Sequence, residues 1–320
     1  MLGGAIIAQH AIFNAIAEGA PIAVTSVAAR DADRAADYAR QWNIPHVYPS
    51  YAALLAEAEI DAVYVPLPNA LHHRWVLAAI EAGHHVLCEK PIALNAREAT
   101  DMVEAAEAHC LLLVEAFHWR AHPVAKRLEA LVAGGAIGAV THIDCWFDIS
   151  RSFLLPNDIR LSPELGGGSL LDEGCYCVNL VRLLAGEPTV VSARTKMLAE
   201  GVDGAISAEL ALPGGVTATI RTDMTLAGET VGCGATVTGT GGTIVVVNPF
   251  LPGWGSSIAI TDANGTCSEE MPTASSYFYQ AEAFADLVRR GPHLPSPARD
   301  SIANMRVLDA IREAARADAG

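Results

Sequence analysis

The sequence predicts an α/β N-terminal domain, a Rossmann-like doubly wound parallel sheet, followed by an α+β domain with an open, largely antiparallel sheet. Three observations carry this expectation. Through about residue 122, short and nearly all-apolar runs alternate with amphipathic helical stretches, the pattern of parallel strands covered on both faces. Beyond that point the strands lengthen and alternate in polarity, with tight-turn signals at Pro213-Gly214 and Gly241-Gly242. The chain of 320 residues also exceeds what one core accommodates, about 250–300 residues. The expected division is 1–122 for the first domain and 123–320 for the second.

In the first domain the strand-like runs are Ile22–Ala28, Ala62–Val65, His85–Cys88 and Leu111–Ala116. Between them the helical period appears over Ile6–Glu18, Asp33–Trp42, Leu71–Ala82 and Ala96–Ala108, with Asn69 and Asn95 placed as N-caps of the last two. The second domain opens with a helix, Val124–Ala133. Its strands are Val140–Ile149, Val190–Lys196, Ala205–Leu212, Val216–Met224 and Ala235–Thr238. A triple glycine, 166–168, opens a further helix, and two closing helices at 277–290 and 299–315 are expected to pack back onto the assembly.

Composition narrows the function classes. A net charge of −15 opposes a nucleic-acid surface and attraction to anionic lipid. Seven cysteines without a CxxC pair read as reduced, buried thiols of a cytoplasmic protein. No apolar stretch reaches transmembrane length.

The chain begins Met1-Leu2-Gly3-Gly4-Ala5-Ile6-Ile7-Ala8, and Gly3-x-Ala5-x-x-Ala8 is a relaxed dinucleotide fingerprint. Small residues stand where the backbone must approach a pyrophosphate, ahead of a helix whose amides would face it. The strand that should precede Gly3 is reduced here to Met1 and Leu2: either the true start lies upstream or the strand is a stub, and a shortened start is the favoured reading. At the tip of the next strand, Ala28-Ala29-Arg30-Asp31, an arginine suits a 2′-phosphate and an acidic residue suits a free ribose hydroxyl. Arg30 favours NADP over NAD, and Asp31 is placed to cap the following helix.

Lys90 follows a strand in Glu89-Lys90-Pro91, while Asp172 and Tyr176 stand four apart in a helix and leave it on one face. A cationic lysine beside a phenol is a proton-transfer pair, because the charge favours the phenolate. The histidines at 72–73, 84–85, 118 and 122 form no metal-ligand signature; Pro123 and the preceding strand argue against a helix joining His118 to His122. Thr238–Thr243 reads as a hairpin turn, with no lysine in phosphate-loop register, and Glu269-Glu270 as a solvated loop.

Four runs together resemble the Gfo/Idh/MocA oxidoreductases: Tyr64-Val65-Pro66-Leu67-Pro68-Asn69-Ala70-Leu71-His72, His85–Pro91, Glu115–Pro123 and Gly166–Tyr176. Within that family the chain looks closest to the branch of dimeric dihydrodiol dehydrogenases and NADP-dependent D-xylose dehydrogenases. The resemblance covers nearly the whole chain. It implies that Lys90 is the catalytic lysine, Tyr176 the proton-transferring residue and Asp172 the group that orients substrate hydroxyls. It also implies that Gly3, Ala5, Arg30, Leu67, Asn69, His72, Glu89 and Lys90 line the dinucleotide. His118, Trp119, Phe147 and Arg160 would line the substrate pocket. Ala29 departs from the serine that many NADP-using relatives carry there.

The expected reaction moves a hydride between NADP, or NAD, and a hydroxyl-bearing carbon of an aldose or a trans-dihydrodiol; the residues do not choose between them. Two alternatives accompany it: a glucose–fructose oxidoreductase-like enzyme with tightly held NADP, and a non-catalytic dinucleotide-sensing regulator. The resemblance also implies a homodimer, or a larger homo-oligomer, assembled through the second-domain sheet.

Overall fold

The computed structural model describes residues 1–229, 231–291 and 296–318. They fall into two compact units, one formed by Met1–Phe117 with Tyr277–Ile302 and the other by His118–Ser276 with the rest of the C-terminal helix.

In the first unit, the helix expected over Ile6–Glu18 runs from residue 7 to 17, its residues 9–14 being π-helical and its last turn α-helical, α1 (Ala15–Ala17). Then follow β1 (Ser26–Ala28), α2 (Ala32–Trp42), β2 (His46–Tyr48), α3 (Tyr51–Glu57), β3 (Ala62–Val65), α4 (His72–Glu81), β4 (His85–Cys88), α5 (Ala96–Ala108) and β5 (Leu113–Glu115). The strands are parallel, in the pairs β1–β2, β3–β4 and β4–β5. Met1 and Leu2 complete the sheet. Leu2 bridges Ala28 in parallel and donates its N–H to the Tyr64 carbonyl at 3.1 Å, while Gly3 N–H reaches Ala28 O at 2.7 Å. The order is therefore β2–β1–(Met1-Leu2)–β3–β4–β5, the nucleotide-binding order with Met1-Leu2 in the place of its first strand.

Side-chain caps start three of the helices in this unit. Asp31 accepts from Arg34 N–H at 2.8 Å, Ser50 from Ala53 N–H at 3.0 Å and Asn95 from Glu98 N–H at 3.0 Å. Asn69 instead opens a 3₁₀ turn, and the N-cap position of α4 (His72–Glu81) falls on Leu71. Along α5, Ala99, Met102, Val103 and Ala106 are buried, the i, i+3, i+4, i+7 stripe of a core-facing helix. β2 and α3 are absent from the sequence reading. β2 is a three-residue strand whose side chains are largely exposed, so it lacks an apolar run.

The second unit opens with a helical turn, α6 (His118–Ala121), which corrects the expectation that Pro123 leaves no helix there. Pro123 instead takes the first position of the next helix, α7 (Pro123–Ala133), where its missing N–H costs nothing. β6 (Val140–Ile149) leads through 3₁₀ turns to a π-helical stretch, Leu170–Gly174, continuous with α8 (Cys175–Ala185). Seven strands follow: β7 (Thr189–Ala199), β8 (Val202–Ala211), β9 (Thr217–Asp223), β10 (Val231–Gly239), β11 (Gly242–Val247), β12 (Ser257–Asp262) and β13 (Gly265–Glu270).

They make one eight-stranded sheet with β6, ordered β13-β12-β11-β10-β6-β9-β8-β7, antiparallel except where β6 pairs with β9. That parallel pair needs a crossover, and α8 lies within it, packed on β6 and β9. Glu269 and Glu270 stand on the edge strand β13 rather than in a loop, and Glu269 accepts from Arg127 Nε at 2.7 Å. Two helices close the chain, α9 (Ser276–Arg290) and α10 (Arg299–Asp318).

All seven cysteines are free thiols. Five are buried, but Cys110 and Cys267 are exposed, contrary to expectation. Among the described residues no helix is long and apolar enough to cross a membrane, and no group of three or more His, Cys, Asp or Glu could hold a metal ion.

Candidate active site

The candidate residues form two groups, each built by its own unit. In the first, Gly3 sits at φ 88°, where a Cβ would meet Leu67 Cδ2 at 3.1 Å and the Tyr51 hydroxyl at 3.5 Å. A side chain there would be strained and would fill the cradle that a pyrophosphate needs. At Gly4 a Cβ would fall 2.8 Å from the Tyr38 ring, and Tyr38 donates to the Ala5 carbonyl at 3.2 Å. Arg34 donates to the Gly4 carbonyl at 3.1 Å. Arg30 is exposed, while the Asp31 carboxylate is engaged at the start of α2. Burial raises the Tyr51 phenol, opposed by the charges of Arg30 and Arg34, so both cations act on the surface beside Gly3.

Leu67, His72 and Pro91 are tied together. The fully buried His72 ring lies 2.8 Å from the Leu67 carbonyl through Nε2 and 3.0 Å from the Pro91 carbonyl through Nδ1. Burial lowers its pKa, although both carbonyls pull the other way. The ring thereby fixes the loop after β3 to the Lys90-Pro91 turn, whose peptide bond is cis. Glu89 is buried under the same turn. Its Oε1 accepts from the Tyr64 hydroxyl at 2.6 Å and its Oε2 from Lys90 N–H at 3.3 Å. Burial, then the Glu89 charge, raise the Tyr64 phenol well above its usual range, so Tyr64 stays a donor. Asn69 lies in the 3₁₀ turn between Pro68 and α4, and Lys90 is half-buried at the end of β4.

The second group surrounds the start of α8. Tyr176 is 5% exposed. Its ring lies 5.2 Å from Phe250 and 5.6 Å from Phe147, and its hydroxyl is 3.0 Å from His118 Nε2. His118 Nδ1 is 2.8 Å from the Ser276 hydroxyl. Trp119 is fully buried, edge-on to Phe250 at 5.3 Å. His122 Nε2 donates to the Pro272 carbonyl at 3.1 Å.

Asp172 Oδ2 accepts a short bond from Arg160 Nε, and Arg160 Nη1 also reaches Asp158 at 3.3 Å. The Asp172 charge raises the Arg160 pKa further. Asp172 thus accepts from a guanidinium, and the N-cap position of its helix falls on Ser169. Asp203 serves the start of that helix, accepting Leu170 N–H at 2.7 Å. Sequence reasoning assigns no role to Tyr64, Asp203, Phe250 or Ser276. Only Tyr64 stands in a motif run, and each acts through a partner distant in the chain.

The match to known proteins is family-wide. The Gfo/Idh/MocA description "Oxidoreductase family, NAD-binding Rossmann fold" matches residues 1–117, and the family's C-terminal domain matches 125–245. The chain is 35% identical over 326 residues to the D-xylose 1-dehydrogenase (NADP(+)) 2 of Haloferax volcanii, covering 100% of this chain and 97% of that protein. It is 38% identical over 186 residues to the trans-1,2-dihydrobenzene-1,2-diol dehydrogenase of Xenopus tropicalis, covering 58% of this chain and 56% of that one. A crystal structure of a 3-ketoreductase from Actinomadura kijaniata with NADP and TDP-benzene superposes with a TM-score of 0.89 at 29% identity, over 98% of this chain and 96% of that one. The chain belongs to the Gfo/Idh/MocA oxidoreductase family. It is an oxidoreductase with an NAD-binding Rossmann domain.

Proposed function

We propose that the protein is an NADP-linked dehydrogenase acting on a hydroxyl-bearing carbon of a sugar or a trans-dihydrodiol, with Tyr176 transferring the proton. The observation that carries this reading is the setting of Tyr176. Its phenol is buried in an aromatic cluster, hydrogen-bonded to an imidazole, and follows Asp172 by one helical turn. Asp172 orients substrate hydroxyls, its carboxylate steadied by Arg160. Lys90, at the end of β4, holds a neighbouring hydroxyl and stabilises the developing alkoxide as a cation. Tyr176 then takes the alcohol proton, and in the reverse direction returns it.

When bound, NADP supplies the nicotinamide carbon that accepts or returns the hydride. Gly3, Ala5, Leu67, Asn69 and His72 would hold the dinucleotide, with Glu89 fixing the turn that carries Lys90. Arg30 would meet the 2′-phosphate. The engagement of Asp31 as a helix cap supports NADP over NAD, as does the name of the Haloferax relative. The names of the relatives likewise support an aldose or dihydrodiol substrate. We assign the enzyme to the cytoplasm and to a homodimer through the outer face of the eight-stranded sheet, where Val245 and Val247 are 39% and 46% exposed.

The test is nicotinamide absorbance with purified protein, NADP or NAD, and a panel of aldoses, inositols and trans-dihydrodiols. Turnover with one class is expected, abolished by Tyr176→Phe and Lys90→Ala while dinucleotide binding, read by fluorescence, persists. Cofactor binding without turnover on any panel member would remove the substrate assignment. Full turnover by Tyr176→Phe would remove the assignment of the proton to that residue.

A further inference from the structure

We propose that His118 is the proton acceptor behind Tyr176, a positioning residue that takes the phenolic proton through Nε2 while Ser276 steadies the resulting charge by accepting from Nδ1–H. The inference rests on the reading of Tyr176 as the proton-transferring group. The geometry is a continuous line of hydrogen bonds within the second unit: Tyr176 hydroxyl to His118 Nε2 at 3.0 Å, then His118 Nδ1 to Ser276 Oγ at 2.8 Å. Tyr176, His118 and Ser276 are 5%, 4% and 4% exposed, so the phenol has little access to bulk water as a proton acceptor. The rings of Phe147 and Phe250 beside Tyr176 offer neither donor nor acceptor.

The proton balance is simple. In the resting neutral pair the phenol O–H donates to Nε2 and Nδ1–H donates to the serine oxygen. Transfer of the phenolic proton to Nε2 breaks the tyrosine O–H bond, forms an N–H bond, and leaves phenolate beside imidazolium. The phenolate then takes the alcohol proton as the hydride leaves, restoring the phenol. The imidazolium holds that proton on Nε2, its Nδ1–H still donating to Ser276 Oγ, and loses it to solvent when the product leaves. No oxidant beyond the dinucleotide is consumed. An imidazole suits this task because its two nitrogens exchange roles at ordinary pH, which an amide cannot do.

That last difference supplies the experiment. His118→Gln keeps an acceptor for the phenol but cannot carry a proton, whereas His118→Ala removes both functions and leaves a ring-sized hole. With the substrate identified by the panel above, both variants are expected to lose about 100-fold in kcat, with KM for substrate and dinucleotide little changed. Added imidazole should restore the Ala variant in a concentration-dependent way and leave the Gln variant unaffected. Ser276→Ala, which keeps the ring, should show the same split of kcat from KM with a smaller loss, and stands in if the Ala variant does not fold.

Wild-type kcat in His118→Gln would overturn the proposal, reducing the ring to a hydrogen-bonding prop. So would equal losses in kcat and substrate affinity in all three variants. Tyr176→Phe is run alongside. If it retains turnover, the underlying reading falls and the relay with it; if it is dead while His118→Gln is fully active, only the relay falls.

Discussion

The carboxylate of Asp203, on β8, accepts the backbone N–H of Leu170 at 2.7 Å and so holds the first turn of the helix that carries Asp172 and Tyr176. The same oxygen accepts the Ser169 hydroxyl at 3.0 Å, and Ser169 in turn accepts from Thr222 at 2.9 Å. Gly168 permits this approach, since a Cβ there would lie 2.2 Å from Asp203 Oδ1. Asp203→Ala leaves a buried N–H and a hydroxyl without their acceptor, which costs about 1–3 kcal/mol. The urea midpoint should fall accordingly, and kcat with it. Asp203→Asn, which retains one acceptor, should lose less of both.

Gly3→Ala should weaken dinucleotide binding. The positive φ alone costs about 1–2 kcal/mol for an L-residue, and the new methyl would press on Leu67. A rise of roughly 5–30-fold in the NADP dissociation constant is expected by fluorescence titration. An unchanged constant would mean that the loop at Gly3 is not the pyrophosphate cradle.

Gly167 bears on Asp172 from another direction. A Cβ on Gly167 would lie 2.4 Å from the Arg160 carbonyl oxygen and 2.9 Å from that of Ile159, both backbone atoms that cannot swing aside. Gly167→Ala should therefore displace Arg160 from Asp172 and lower kcat by on the order of 10²-fold. Gly253→Ala, where a Cβ meets nothing within 4 Å, is the matched control and should keep full activity.

Acid sensitivity should reach the first unit through Glu107. The hydrogen bond from Arg299, then that from Ser296 N–H, pull its carboxyl down from 4.5 to about 2. A carboxyl lowered in the folded state stabilises above its unfolded pKa, and the contribution is lost as pH falls through the folded value. The difference in Tm between wild type and Glu107→Gln should be full above about pH 4.5 and close as pH approaches 2. A difference that grows in acid would contradict this assignment.

Residues whose chemistry is written into short motifs are legible in the amino-acid sequence alone. Lys90 stands in Glu-Lys-Pro after a strand, and Asp172 and Tyr176 keep helical spacing behind a triple glycine. The strand and helix periods likewise place α5 and β6 at their observed limits. What escapes depends on tertiary proximity. Asp203 meets Leu170 across 33 residues, and Tyr64 meets Glu89 across 25. The strands β11 to β13 are hard to read because their turns lie close together and the edge strand β13 is nearly all exposed, without an apolar face to betray it. The four-residue turn at His118 is hidden by the proline that follows it.

The bond between His118 and Ser276 joins positions 158 residues apart. Closing so long a loop is entropically slow and gains nothing until the intervening sheet is in place. Helical signal should therefore return early in refolding, while catalytic competence lags behind it. The enzyme would pass through a state that looks largely native to circular dichroism yet turns over no substrate.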